Sequence, residues 1–328
     1  MVMRQAIGML RGRATVPLLL ALAGCNQQQS ALVPFGEEAA VLRHLTVVMV
    51  AGAVVIALAL AALMAWAVRA PEGRLGLRGG ERLILVAGGV LPTVLLLGLL
   101  AYSLPAMRPR AVAPADLRIA VTGEQFWWRV QYEPAGAAPV TSANEIRIPV
   151  GRTVLLHLEG RDVVHSFWIP GLAGKTDMIP GRRNVMAVRA TRAGLFRGQC
   201  TEFCGLSHAL MAFDVVAMPA AEFDRWLAAE RQPAVAPAGA GKALFLANGC
   251  GGCHAIRGTG AAGAIGPDLS HLGGRTTIAA GMLRPTEANI AAFVRHPERF
   301  KPGVRMPAFP QMSEAEARAI ARYLKGLK

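Results

Sequence analysis

Two long apolar segments near the N-terminus constrain this chain more than any other feature. Leu45–Val68 and Leu83–Leu104 each supply about the 20 residues that a helix needs to cross the hydrocarbon core of a bilayer. Pro92 in the second segment is compatible with a membrane helix, because neighbouring groups can satisfy the freed backbone carbonyl. The short loop between the segments has an excess of arginine, which is typical of a cytoplasmic loop. The sequence therefore predicts a membrane hairpin over residues 25–112, with both termini outside.

The first 24 residues have the layout of a secretory signal peptide. Three arginines precede an apolar run, Val16–Ala23, which is followed by small residues. Leu22-Ala23-Gly24-Cys25 resembles the bacterial lipoprotein box, so we expect Cys25 to be lipidated and to become the mature N-terminus. The alternative is an ordinary signal peptide followed by a coincidental cysteine.

The rest of the chain divides into two extramembrane domains. Residues 116–231 contain short β-type runs broken by Gly and Pro and close with a helical segment, which predicts an all-β domain. The clearest of these runs are Leu117–Val121, Glu145–Pro149, Thr153–Leu158 and Val185–Ala190. Residues 232–240 have the composition of a linker. Residues 241–328 begin and end with helical patterns, and Ser313 and Glu316 predict a capping box at the last helix.

The formal net charge of +14 is unevenly placed. Residues 116–230 carry 12 basic and 12 acidic side chains, whereas residues 241–328 carry 12 basic and 5 acidic ones. The Lys/Arg clusters interleaved with aromatic residues that characterise nucleic-acid binders do not occur in this sequence. The charge is therefore interpreted as positive-inside topology together with a basic surface for a protein partner.

One loop concentrates soft metal ligands. Cys200, Cys204, His208 and Met211 lie within twelve residues, and His165 lies upstream. Thiolate and imidazole together favour copper, and two thiolates can bridge two copper ions, so the set favours a binuclear centre over a mononuclear one. A disulfide between the two cysteines is the alternative in an oxidising compartment.

A second cofactor motif opens the C-terminal domain. Cys250-Gly-Gly-Cys253-His254 is the attachment signature of a c-type haem, with two thioether bonds and a proximal histidine. For the sixth ligand we select Met306, on the rigid segment Lys301–Phe309, over Met282 and Met312. Two protein axial ligands leave no position for a substrate, which suits an electron carrier.

These segments carry a resemblance to two families. From the first membrane helix to about Trp226 the chain resembles cytochrome c oxidase subunit II, through Asp162–Pro170, Gly174–Gly181 and Cys200–Met211. Residues 241–328 resemble a class I cytochrome c, including Gly266–Leu269 on the proximal side of the haem. The resemblance implies a multi-domain membrane protein: a two-helix hairpin, an all-β cupredoxin barrel and an all-α cytochrome c domain.

The resemblance also implies a specific set of ligands. A dinuclear copper A centre would be held by the side chains of His165, Cys200, Cys204, His208 and Met211 and by the backbone carbonyl of Glu202. The carboxylate of Glu202 would face a magnesium site shared with subunit I.

Two positions depart from the family pattern. Where many relatives carry a tryptophan thought to receive electrons from soluble cytochrome c, this chain has Phe126, which puts that entry route in question. Trp127 and Trp128 beside it fit a surface or a core position equally well. Glu81 resembles a family acid near the start of the second helix, but its spacing to Pro92 is longer, so we assign it no role in proton uptake.

The resemblance implies an electron-transfer subunit of a terminal oxidase in a bacterial inner membrane, with both cofactor domains on the periplasmic side. Its partners would be subunit I, where oxygen is reduced, the other oxidase subunits, and an external donor such as cytochrome c or a cytochrome bc complex. The alternative partner is a nitric oxide reductase that uses a copper A subunit. A copper chaperone or sensor fits less well, since Met211, His208 and a fused haem serve no purpose there.

Overall fold

The computed structural model describes residues 26–71, 77–107, 117–235 and 239–328. The predicted signal peptide and Cys25 lie outside the described residues, as do residues 236–238 of the predicted linker. The described segments comprise a helical hairpin, a β-sandwich and a C-terminal helical domain. The fold class inferred from the sequence is confirmed.

The hairpin consists of two helices that are long and apolar enough to cross a membrane. Helix α1 spans Glu37–Arg69, and the second arm runs from α2 (Leu77–Leu83) through a π-helical segment (Ile84–Val90) into α3 (Leu91–Met107). Their apolar side chains are largely exposed, as lipid-facing side chains must be. Both arms begin earlier than the apolar runs predicted, because a helix continues through the polar residues that flank its apolar part.

The segment before α1 attaches the hairpin to the β-sandwich. The backbone N–H of Phe35 donates to Gly171 O at 2.8 Å, and the N–H of Thr191 donates to Phe35 O at 2.7 Å. The ring of Phe35 packs edge-on against Phe196 of the sandwich, with centroids 5.0 Å apart. The β domain is therefore held close to the outer end of the first membrane helix.

Within the described residues 117–218, ten strands form the sandwich. They are β1 (Leu117–Glu124), β2 (Trp127–Pro134), β3 (Val140–Ala143), β4 (Glu145–Pro149), β5 (Val154–Gly160), β6 (His165–Trp168), β7 (Lys175–Met178), β8 (Asn184–Val188), β9 (Gly194–Cys200) and β10 (Ala212–Met218). One sheet has the order β3-β2-β1-β5-β8 and the other the order β4-β10-β9-β6-β7. The pairs β1–β5 and β4–β10 are parallel, and the chain crosses to the other sheet between the two strands of each pair.

Alternation of side chains along the strands builds the core between the two sheets. Leu117, Ile119 and Val121 of β1 point inward and are almost fully buried. Phe167 and Phe213 stack at the centre with ring centroids 4.4 Å apart. Helix α4 (Ala220–Glu230) closes the domain by burying its own apolar face, as the sequence predicts.

The C-terminal domain is helical around its own core. Helices α5 (Ala240–Ala247), α6 (Glu287–Arg295), α7 (Pro297–Phe300) and α8 (Glu314–Gly326) are joined by loops. The predicted capping box is confirmed: Ser313 and Glu316 exchange side-chain and backbone hydrogen bonds at the start of α8. Helices α5 and α8 meet through Phe245 and Tyr323, whose ring centroids are 6.0 Å apart.

Candidate metal centres

The predicted copper ligands converge at one end of the sandwich. His165 begins β6 and Cys200 ends β9, and the two strands are paired so that Phe167 lies opposite Cys200. The remaining residues of the set lie on the loop that joins β9 to β10. Because the strand register fixes His165 beside Cys200, the histidine 35 residues upstream meets the cysteine loop without any local sequence signal.

The ligand atoms of this cluster lie within 3.8 Å of their neighbours. Cys200 Sγ is 3.8 Å from His165 Nδ1 and 3.8 Å from Cys204 Sγ, and Cys204 Sγ is 3.6 Å from His208 Nδ1 and 3.8 Å from Met211 Sδ. Both cysteines are free thiols in the described structure. Each sulfur thus has one imidazole of its own, and the pair sits between them, which is a donor arrangement for two metal ions rather than one.

Hydrogen bonding fixes which nitrogen of His165 faces the sulfurs. Its Nε2 lies 2.9 Å from Asp162 Oδ1, and because a carboxylate only accepts, Nε2 carries the proton. Nδ1 is then the nitrogen that faces Cys200, at 3.8 Å from its sulfur. A carboxylate behind a metal-binding histidine orients the ring and makes the ligand more basic.

The two groups of this pair have shifted pKa values. Burial opposes the charged form of each, but the hydrogen bonds prevail. The backbone N–H of Gln125 and the ring of His165 hold the pKa of Asp162 below its ordinary value. Hydrogen bonds with Cys200 and Asp162 raise the pKa of His165.

The two thiols share a proton in the metal-free chain. The hydrogen bond between them lowers the pKa of Cys200 and raises that of Cys204. Thiolate is the form that binds metal. One of the two sulfurs is therefore prepared for metal binding, and the second thiol would release its proton when metal binds.

Glu202 faces this cluster with its backbone carbonyl rather than with its side chain. Its carbonyl oxygen lies 3.2 Å from Cys200 Sγ, whereas its carboxylate is exposed to solvent. Among the described residues, only His165, Cys200 and Cys204 form a group of three or more His, Cys, Asp or Glu ligand atoms close enough to hold a metal. A magnesium site at Glu202 would thus require ligands from another subunit.

The haem motif lines a cavity of about 380 Å³ in the C-terminal domain. Cys250, Cys253 and His254 form one part of its wall, and Met306 contributes another. His254 Nδ1 lies 2.8 Å from Pro267 O, and because a carbonyl only accepts, Nε2 is left free to bind iron. Burial lowers the pKa of His254, which favours the neutral imidazole that a metal needs.

The lining of the cavity distinguishes Met306 from the other two candidate methionines. Met306 lines it, whereas Met282 and Met312 are not among its lining residues, and Met312 is 4% exposed within the helical core. A Cβ built on Gly266 would lie 2.6 Å from His254 Cε1, so the proximal segment must have a glycine there. The residues present therefore fit a haem with His254 and Met306 as its axial ligands.

The aromatic segment of the β domain reaches this cavity. Phe126, only 4% exposed, and Trp127 both line it, although they belong to the other domain. Trp128 is fully buried in the core of the sandwich, and Trp127 is half-buried beneath the guanidinium of Arg129. The phenylalanine in the tryptophan position of the family is thus an interface residue between the two cofactor domains.

Sequence reasoning gave no individual role to two residues at these sites. Asp162 stands three residues before His165, a spacing that a search for histidine partners would have found. Lys301 is 2% exposed and donates from Nζ to Leu210 O at 2.7 Å. Burial lowers its pKa to about 7, an effect that Cys204 opposes. No pattern in the sequence distinguishes this lysine from a surface one.

Comparisons with known proteins divide the chain in the same way. Residues 129–218 match the family model of the cytochrome c oxidase subunit II periplasmic domain, and residues 238–328 match that of cytochrome c. The chain is 43% identical over 214 residues to cytochrome c oxidase subunit 2 of Alkalihalophilus pseudofirmus, covering 64% of this chain and 61% of that relative. It is 33% identical over 253 residues to cytochrome c oxidase subunit 2 of Bacillus subtilis, covering 73% of this chain and 70% of that relative. Among solved structures it is similar to the periplasmic domain of subunit II of the Bradyrhizobium japonicum cytochrome oxidase, with 33% identity, a TM-score of 0.34, and coverage of 37% of this chain and 96% of that chain.

Proposed function

Because this chain belongs to the cytochrome c oxidase subunit II family and carries a cytochrome c domain, we propose that it relays electrons from an external donor through haem c to copper A, and on to the haem-copper site of subunit I. Members of this family are components of haem-copper oxidases, which are oxidoreductase complexes. Oxygen reduction would take place in subunit I and not in this chain.

The observation that carries this proposal is the position of the two sites. Each lies near the interface between its domain and the other, and Phe126 borders both the haem cavity and Gly205, which follows the candidate ligand Cys204. Bound copper A and haem c would each supply one-electron redox chemistry with little change in ligand geometry. The chain's own residues hold the ligands in fixed orientations, exclude water from the buried sulfurs, and keep His165 and His254 in the tautomers that bind metal.

The ligand set of the copper centre is proposed as His165, Cys200, Cys204, His208, Met211 and the carbonyl of Glu202. For the haem we propose thioether bonds to Cys250 and Cys253, with His254 and Met306 as axial ligands. The carboxylate of Glu202, exposed between Cys200 and Cys204, would contribute to a magnesium site completed by subunit I.

The proposed setting is a bacterial inner membrane with both cofactor domains on the outer side and Cys25 lipidated. The two apolar helices and the match to a periplasmic-domain family support this topology. The excess of 12 basic over 5 acidic residues in 241–328 favours a donor with an acidic surface, such as a cytochrome c or a cytochrome bc complex. Oxidation of such a donor should slow as ionic strength rises, and a rate independent of salt would exclude this electrostatic docking.

The direct test is spectroscopy of the full chain purified in detergent after loading with copper and haem. We expect the EPR and near-infrared signals of a mixed-valence dinuclear copper centre beside a low-spin haem. The copper signal should vanish in Cys200→Ser, while the haem spectrum stays unchanged. A haem spectrum without any dinuclear copper signal in the unsubstituted chain would contradict the relay.

A further inference from the structure

The loops that carry the two ligand sets are in direct contact. We define the copper loop as residues 204–211 and the haem-ligand loop as residues 301–306. The hydroxyl of Ser207 donates to Pro302 O at 2.7 Å, and Lys301 Nζ donates to Leu210 O at 2.7 Å. Ser207 precedes the copper ligand His208, and Lys301 lies five residues before the haem ligand Met306, so each bond joins the neighbourhoods of the two sites.

Lys301 is the most deeply buried charged side chain of this contact. It is 2% exposed, and its Nζ has a second acceptor, Ala279 O, at 3.4 Å. Both of its acceptors are backbone carbonyls, one in each domain. Burying an amine is costly unless its donors are satisfied. These bonds do not need the positive charge, since a neutral amine also donates.

Close packing and an ion pair add to the contact between the copper loop and the haem-ligand loop. A Cβ built on Gly303 would lie 3.1 Å from Leu206 and 3.5 Å from Phe126, so the backbone of the haem-ligand loop passes close over the copper loop. Arg305 Nη2 lies 3.0 Å from Asp162 Oδ2, and Asp162 is the carboxylate that orients His165. The haem-ligand loop thus reaches the residue that supports a copper ligand.

A second set of bonds joins the two domains away from the contact between the two loops. The hydroxyls of Thr276 and Thr277 donate to the buried carboxylate of Asp214, and the backbone N–H of Thr276 donates to Glu145 Oε2 at 2.6 Å. The backbone N–H of Ala212, next to Met211, donates to Ala280 O at 3.0 Å. Polar bonds at several separate points, in addition to the buried lysine, favour a single docked orientation of the two domains.

We propose that Lys301 is a positioning residue that locks the haem-ligand loop onto the copper loop, with Arg305 as its outer support. The proposal rests on the relay function: it makes electron transfer between the two centres a step within one docked interface instead of an encounter between tethered domains. A tether alone raises the local concentration of a partner. The buried Lys301 between the loops also raises the fraction of time that the two domains spend in the geometry competent for electron transfer.

The test compares Lys301→Met with Lys242→Met in the full chain loaded with copper and haem. Methionine matches the length of lysine but cannot donate, and Lys242 is an exposed lysine of the same domain. Pulsed EPR measures the distance between the two native paramagnetic centres, and photoreduction of the haem measures the rate at which its electron reaches copper. Arg305→Gln is examined in parallel, because Arg305 is 60% exposed and its loss should not prevent folding.

We expect Lys301→Met to broaden the haem–copper distance distribution and to slow transfer by roughly ten-fold, as a drop of the docked fraction to about one tenth would require. Arg305→Gln should slow transfer by a smaller factor, and Lys242→Met should match the unsubstituted chain. An unchanged distance and rate in Lys301→Met would overturn the proposal. If Lys301→Met does not fold, an unchanged rate in Arg305→Gln would overturn it. Absence of the copper or haem spectrum from the unsubstituted chain would instead refute the relay function itself.

Discussion

His165 Nε2 donates to Asp162 Oδ1 at 2.9 Å, while the other oxygen of the same carboxylate accepts from Arg305 at 3.0 Å. A single side chain thus supports a predicted copper ligand and contacts the haem-ligand loop. The relationship joins two segments that are far apart in the sequence, residues 162–165 and Arg305. It makes Asp162 the residue through which changes at the domain interface can reach the copper site.

Replacing Asp162 by asparagine should weaken copper binding. Asparagine keeps an acceptor for His165 but removes the negative charge that makes the ring more basic. Loss of such a carboxylate partner typically costs about ten- to a hundred-fold in metal affinity. The affinity is measured by competition with a copper chelator while the copper A absorption is followed. Asp224→Asn, at an exposed carboxylate that pairs with Arg152, is the control, and equal affinities of the two variants would contradict the proposed support.

The axial assignment predicts different outcomes at three methionines. Met306→Leu should abolish the sulfur–iron bond and lower the reduction potential of the haem, because a methionine ligand raises it. The haem should remain attached through Cys250 and Cys253. Absorption spectra and redox titration measure both effects. Met282→Leu and Met312→Leu should leave the spectrum unchanged, and Met312→Leu should cost less than about 1.5 kcal/mol of stability. A change of the haem absorption spectrum in Met282→Leu or Met312→Leu would contradict Met306 as the axial ligand and assign that role to the substituted methionine.

The sequence predicted the parts of this molecule that are coded locally. Apolar length identified the membrane helices, and the spacing of Ser313 and Glu316 located the start of α8. The copper site could be recognised because four candidate ligands, two cysteines, a histidine and a methionine, lie within residues 200–211. Helix α1 nevertheless begins at Glu37 rather than Leu45, because apolar length measures the lipid-facing part of a helix and not the whole helix.

What the sequence did not predict depends on tertiary contacts between distant residues. Lys301 and Leu210 are 91 residues apart, and nothing around Lys301 distinguishes it from an exposed lysine. The contact of Phe126 with the haem cavity was equally hidden, since the resemblance showed only that a tryptophan was missing. The docking of the two domains depends on the shape and charge of their folded surfaces, which local sequence patterns do not specify.

Gly266 provides a steric test of the proximal side of the haem. Its alanine variant would place a Cβ 2.6 Å from His254 Cε1, so the imidazole must move away from its hydrogen bond with Pro267 O. We expect weaker ligation by His254 and a shift of the haem towards high spin, measured by EPR and absorption. Gly260→Ala, where a Cβ would meet no atom within 4 Å, should retain the low-spin spectrum. An unaltered spectrum in Gly266→Ala would show that the proximal loop yields without disturbing the iron.

The capping box of α8 predicts a pH dependence of stability. Hydrogen bonds from the hydroxyl and the backbone N–H of Ser313 lower the pKa of Glu316 below its ordinary value of 4.5. A carboxyl group whose pKa is lower in the folded state stabilises the fold above its unfolded pKa, and that stabilisation is lost as the pH falls through the folded pKa. Glu316→Gln can still accept the hydrogen bonds but does not titrate. The melting temperature of the haem domain is followed by its Soret absorption in the full chain. It should be higher for the unsubstituted chain at pH 6, and the difference should shrink as the pH falls below 4.5 and through the folded pKa of Glu316. A difference that stays constant across this range would show that the charge of Glu316 does not stabilise the helix.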